Sequence, residues 1–164
     1  MIPESILSAE DCAKCEFCCS FRRQSLVFTP FFEKEKVDEI HTLFPEVRFK
    51  TRENGKLTID IDHMYRTDDS EEEALCPFNK VGCILPEHLK PFDCKLWPFR
   101  IMRKRDGNGL VLALAPTCPR IRKDSPEFRK VAESAAKEAA EYAKVHPEII
   151  IEYSDEFITE QEVL

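Results

Sequence analysis

Eight cysteines in 164 residues constrain this chain more than any other feature. Cys12, Cys15, Cys18 and Cys19 fall together in Asp-Cys-Ala-Lys-Cys-Glu-Phe-Cys-Cys-Ser, and Cys76, Cys83, Cys94 and Cys118 follow at wide intervals. The N-terminal Met-Ile-Pro-Glu-Ser has neither a basic n-region nor an apolar h-region, so no secretory signal is legible and a cytoplasmic location is expected. In a reducing compartment disulfides rarely persist, and clustered cysteine points to metal or redox chemistry. A disulfide framework is the competing account. It would require export, and adjacent Cys18 and Cys19 do not readily bond to each other.

The rest of the composition narrows the class. A charged fraction of 34% and a hydrophobic fraction of 43% suit a globular chain, and 164 residues fit one domain, 1–164. No apolar run approaches the roughly 20 residues needed to cross a bilayer. The net charge of −7 argues against a general nucleic-acid binder.

Along the chain, Ser8 reads as an N-cap followed by Glu10 and Asp11 in a first helical turn. A helix running to about residue 20 would gather Cys12, Cys15, Cys18 and Cys19 within about 120° of its surface, at about 100° per residue. A loop wrapped around a cluster would achieve the same. Ser25 to Phe28 suggests a short strand, and Thr29-Pro30 the start of a helix with Phe32, Val37, Ile40 and Phe44 inward, ended by Pro45. Residues 47–52 and 56–62 alternate around Glu-Asn-Gly, predicting a hairpin with Leu57, Ile59 and Ile61 on one face. The acidic run from Asp68 to Glu73 reads as a solvated loop.

Four prolines, Pro77, Pro86, Pro91 and Pro98, forbid long helix in the block 76–100. Such a stretch has little of its own to order it, and metal ligation would add directly to its folding energy. Residues 100–105 and 110–115 predict a second hairpin across Asp-Gly-Asn-Gly. Ser125-Pro126 opens a long helix reaching about Val145, with Phe128, Val131, Ala132, Ala135, Ala139 and Tyr142 as its apolar stripe. Ile149 to Tyr153 reads as an edge strand and the acidic tail as fraying. The expected fold is therefore α+β: an irregular cysteine-rich, metal-centred core over about 12–120, two hairpins, and a C-terminal helix and tail over 125–164.

Four thiolates suit tetrahedral zinc, and four also hold a [4Fe–4S] cluster. The Cys12-x2-Cys15-x2-Cys18 spacing, with both Cys76 and Cys118 followed by proline, favours iron. The vicinal Cys18 and Cys19 suggest thiols shared between two sites, or one left outside the coordination shell. His63 and His88 are possible substitutes.

Cys12-x2-Cys15-x2-Cys18-Cys19, then Cys76-Pro-Phe, Gly82-Cys83, Lys90-Pro91-x2-Cys94-Lys95 and Trp97-Pro98 resemble the CxxCxxCC, or YkgJ-like, cysteine-cluster family, described as zinc- or iron-chelating. The likeness covers roughly 12–120. Lys90 and Lys95 stand where that family commonly has arginine, Leu85 replaces a frequent tyrosine, and the Cys83–Cys94 spacing is slightly longer than usual. The resemblance implies metal binding by Cys12, Cys15, Cys18, Cys19, Cys76, Cys83 and Cys94; Cys118 joins them through its own Cys-Pro. A related arrangement occurs in flagellin lysine methylases, which raises methyl transfer, although no glycine-rich cofactor loop is visible here.

The functional expectation is a metal-binding protein chelating zinc or iron, including iron as an iron–sulfur cluster, with metal as its partner. The alternatives are an iron–sulfur redox or methyltransferase-like enzyme component, and a protein or nucleic-acid adaptor with a structural zinc site. For the adaptor, Arg100, Arg103, Lys104, Arg105, Arg120, Arg122 and Lys123 would form a basic patch. No catalytic residue is identifiable, since no cysteine stands in an evident histidine–carboxylate arrangement.

Overall fold

Glycine turns and long-range strand pairing order this α+β chain, seen in a computed structural model described over residues 6–15 and 17–162. The described residues divide into two compact units, 13–94 and 6–12 with 95–162.

In the 13–94 unit, β1 (Ser20–Arg22) pairs antiparallel with β4 (Glu73–Leu75), placing Ser20 opposite Leu75 and Arg22 opposite Glu73. The ladder is short, and its end is fastened by side chains: Glu73 accepts from the Ser20 hydroxyl at 2.7 Å and pairs with Arg22 at 3.3 Å. The predicted first hairpin forms between β2 (Phe49–Thr51) and β3 (Leu57–Ile59). Its turn needs Gly55 at φ +82°, and the Asn54 side chain accepts the Lys56 N–H at 3.1 Å. Ile59 and Ile61 are fully buried and half-buried Leu57 packs against the same core, as the alternation requires. Phe32, Phe49 and Phe78 meet there, with Phe32 edge-on to Phe49 at 5.1 Å. His41 is exposed and sets its ring edge against Phe49.

Several boundaries differ from the sequence reading. Residues expected to be a strand at Ser25 to Phe28 lie instead in a 3-10 stretch, Arg23–Phe28. The Thr29 N–H and hydroxyl both bond the Leu26 carbonyl and close that turn. Thr29 is thereby spent on the preceding turn, and α2 (Lys34–Leu43) begins only after extended Glu33. Residues 30–32 run alongside the hairpin, where Phe32 N–H donates to the Leu57 carbonyl and the Thr58 hydroxyl to the Pro30 carbonyl. Phe32, Val37 and Ile40 are buried as expected, and the helix stops before Pro45.

In the other unit, α1 (Ala9–Lys14) begins in this unit, at the cap foreseen for Ser8. Ser8 Oγ accepts the Asp11 N–H at 3.0 Å and donates to the Asp11 carboxylate at 2.8 Å. The helix ends at Lys14, well short of residue 20. The second predicted hairpin is β5 (Phe99–Arg103) with β6 (Leu110–Leu114). The residues expected to fray supply β7 (Ile158–Glu162), which pairs antiparallel with the free edge of β6 in the order β5-β6-β7. Residue 160 is one extra between Thr159, opposite Ala113, and Gln161, opposite Leu112. An exposed edge needs backbone donors and acceptors rather than apolar side chains, which is why an acidic tail can fill it. The edge strand expected at Ile149 to Tyr153 reduces to a 3-10 turn, Pro147–Ile149, and one parallel bridge between Ile151 and Met102.

α4 (Phe128–Val145) packs on this sheet through Ala132, Ala135, Ala136, Ala139, Ala140 and Ala143, all buried. Their methyl groups permit close approach to the sheet, and the stripe is centred on alanine, with Val131 and Tyr142 at its half-buried margins. No helix among the described residues is long and apolar enough to cross a membrane.

Candidate metal centre

β1–β4 pairing carries Cys18 and Cys19 onto the central block. Cys18 and Cys19 lie in a 3-10 turn (Phe17–Cys19) leading directly into β1, and Cys76 directly follows β4. The ladder extends one step past the strands, where Cys76 N–H donates to the Cys19 carbonyl at 2.6 Å. Cys12 stays on α1, whereas Cys15, Cys18 and Cys19 follow its end at Lys14, so the four do not share one helix face.

Cys76 and Cys83 open and close a tight loop. Asn79 N–H donates to the Cys76 carbonyl, Ile84 N–H to the Phe78 carbonyl, and Lys80 N–H to the Gly82 carbonyl, each at 2.9 Å. The Asn79 side chain accepts the Gly82 N–H at 3.2 Å. Gly82 has φ +100°, and a Cβ there would stand 3.1 Å from that of Ala13, so the turn and the approach to Ala13 both require glycine. Its neighbour Val81 also takes a positive φ of 67°, unusual for a β-branched residue, with its side chain exposed.

Amides are directed at the sulfurs. The Phe78 and Asn79 N–H groups favour a charged Cys76, and the Leu85 N–H does the same for Cys83. Burial nonetheless dominates and pushes Cys76 up to about 12, with further upward contributions from Cys83 and Cys18. Partial desolvation of the sulfur raises Cys83 as well, although the residue as a whole is exposed. These groups are therefore neutral thiols near pH 7, and a bound metal would have to displace their protons. The Lys90 ammonium, held chiefly by Glu87 at 2.9 Å, also feels Cys83 and Cys94.

The expected ligands divide by unit. Cys15, Cys18, Cys19, Cys76, Cys83 and Cys94 belong to 13–94, whereas exposed Cys12 and buried Cys118 belong to the other. Within the first, Cys18, Cys76 and Cys83 are electrostatic neighbours, and Cys94 lies exposed in the first turn of α3 (Phe92–Leu96). Among the described residues no three Cys, His, Asp or Glu side chains close around one point to hold an ion. The donor set nevertheless fits a soft metal chemically: thiols with amides aimed at two of them, which is the outer-shell arrangement metal thiolates use.

His88 is exposed and engaged by Glu39 at 2.9 Å, and His63 is exposed on a 3-10 turn. Of the basic residues considered for an adaptor surface, Arg100 is buried and stacks on Trp97, Arg103 pairs with Glu152, Arg105 covers Tyr153 and Arg122 pairs with Asp11.

Two residues, one of them the neighbour of Cys94, carried no sequence signal. Lys56 and Asp93 are buried, 3% and 4% exposed, and their charged groups lie 3.8 Å apart. Neither an alternating hairpin nor a Pro-Phe-Asp-Cys run announces such a pair. Comparison with family models, with curated proteins and with solved structures finds no match.

Proposed function

We propose that this protein binds zinc or iron through cysteine thiolates, with Cys18, Cys76 and Cys83 at the heart of the site and Cys15, Cys19 and Cys94 of the same unit beside them. The observation that carries this reading is the junction of Cys19 with Cys76, residues 57 positions apart in sequence, which puts Cys18 within electrostatic reach of Cys76 and Cys83. The order of cysteine motifs, similar to that of the CxxCxxCC family, supports the same reading. A bound metal would supply ligation energy to a proline-rich segment that has little regular structure. The chain's own part is to present the sulfurs, direct amides at them, and offset accumulated negative charge with Lys90.

Anaerobic purification from a reducing cytoplasm followed by elemental analysis tests the proposal. Stoichiometric zinc or iron is expected, together with loss of folded circular dichroism on complete chelation. A protein that is metal-free when purified, and takes up neither metal afterwards, overturns it.

The Cys-x2-Cys-x2-Cys spacing and the Cys-Pro dipeptides favour a second form of the reading, an iron–sulfur redox component. Brown protein with acid-labile sulfide is its expected signature; colourless protein with stoichiometric zinc removes it.

A further inference from the structure

Cys94 follows directly on a member of a buried charge pair. Asp93, immediately before it, directs Oδ2 at the Phe31 N–H, 2.7 Å away, and toward Lys56 Nζ at 3.8 Å. Lys56 Nζ donates in turn to the Val27 carbonyl at 3.3 Å. Residues 27–31 are thus held on one side by the hairpin, through Lys56 and the Thr58–Pro30 bond, and on the other by the start of α3. Lys56 and Asp93 are the only charged side chains buried in the 13–94 unit among its described residues.

Such a pair is a poor source of net stability. Withdrawing two charges from water costs about as much as their attraction returns, and apolar residues of similar volume often do as well. What an apolar pair cannot do is fix a loop at a set distance and direction. Here the fixed element is one residue from a thiol, and Cys94 N–H is further tied to the Pro91 carbonyl at 3.1 Å. Lys90, on the same short segment, lies within electrostatic reach of both Cys94 and Cys83.

We propose that Asp93 is a positioning residue for Cys94, anchoring the first turn of α3 to Phe31 and Lys56 so that the Cys94 sulfur is presented to the metal held by Cys76 and Cys83. This rests on the metal-binding reading above and adds to it a residue that touches no metal yet sets its affinity.

The test is a Co2+ titration of the anaerobic, metal-free full chain, read in the sulfur-to-cobalt charge-transfer band, with circular dichroism as the control for folding. Asp93→Ala is expected to weaken Co2+ binding about 10- to 100-fold, the range for loss of an outer-shell partner, and to reduce the band to that of Cys94→Ser. Asp93→Asn keeps an acceptor for the Phe31 N–H and is expected to recover part of both. Wild-type affinity and a full band in Asp93→Ala overturn the role of Asp93, and so does a Cys94→Ser band equal to wild type. Should Asp93→Ala not fold, an Asp93→Asn chain indistinguishable from wild type in affinity and band overturns it equally. A wild-type chain that takes up no Co2+ overturns the metal reading and this inference together, whereas normal wild-type uptake with unaltered Asp93 variants overturns the inference alone.

Discussion

Cys76 donates its backbone N–H to the Cys19 carbonyl at 2.6 Å, continuing the β1–β4 ladder beyond both strands into the cysteine segments. A backbone bond at this point sets the spacing between two cysteine groups without committing either sulfur. The side chains remain available for ligation while the main chain holds them near one another.

Replacing Cys76 or Cys83 by serine should reduce zinc or iron affinity by well over the roughly 10- to 100-fold typical of outer-shell changes, since a thiolate is lost. Competition against a chromophoric chelator measures it. Equal affinity in both variants would exclude these sulfurs from the shell.

Gly82 and its neighbour Val81 should respond in opposite directions. Gly82→Ala combines an unfavourable φ of +100° with a 3.1 Å approach to Ala13, and should cost about 1–3 kcal/mol. Val81→Asn replaces a β-branched side chain at φ +67° with one that tolerates the left-handed region, and should gain up to about 1 kcal/mol. Urea unfolding of the two variants gives both signs.

Glu72 predicts an acid limb in the stability profile. The N–H groups of Arg66 and Thr67 bond its carboxylate, at 2.6 and 2.8 Å, and are the main reason its pKa falls from the usual 4.5 to about 2. Because the folded value is the lower one, the stabilisation is present above pH 4.5 and lost as pH falls toward 2. Glu72→Gln should be less stable than wild type near pH 6, with the difference shrinking through this window. Urea midpoints at stepped pH would show it, and a constant difference would contradict it.

Truncation after Glu156 should open the edge of β6 by removing β7. The expected result is a lower Tm and concentration-dependent self-association, because unpaired strand groups recruit another chain. Unchanged Tm and a monomeric elution profile would show that β7 contributes nothing to the sheet.

Where local chemistry was decisive, sequence and structure agree. Asn54-Gly55 and Gly107–Gly109 mark the two hairpin turns, Ser8 caps α1, and the alanines of α4 mark its packed face. Where two distant segments competed for the same groups, local reading failed. Thr29 could cap a helix or close the turn at Leu26, and only the hairpin running past residues 30–32 decided it. The tail looked too acidic to be ordered, yet β6 offered it an open edge.

The amino acids alone determined that this chain is rich in soft ligands, interrupted by prolines in its centre, and built of two hairpins and a long alanine-faced helix, because those properties reside in side-chain chemistry and in turns of a few residues. Only the tertiary structure decided that the Cys19 backbone meets that of Cys76, that Cys94 follows a buried Asp93–Lys56 pair, and that the terminal strand completes a sheet. Those outcomes depend on backbone hydrogen bonds and desolvated charges between residues tens of positions apart, whose partners no local pattern names.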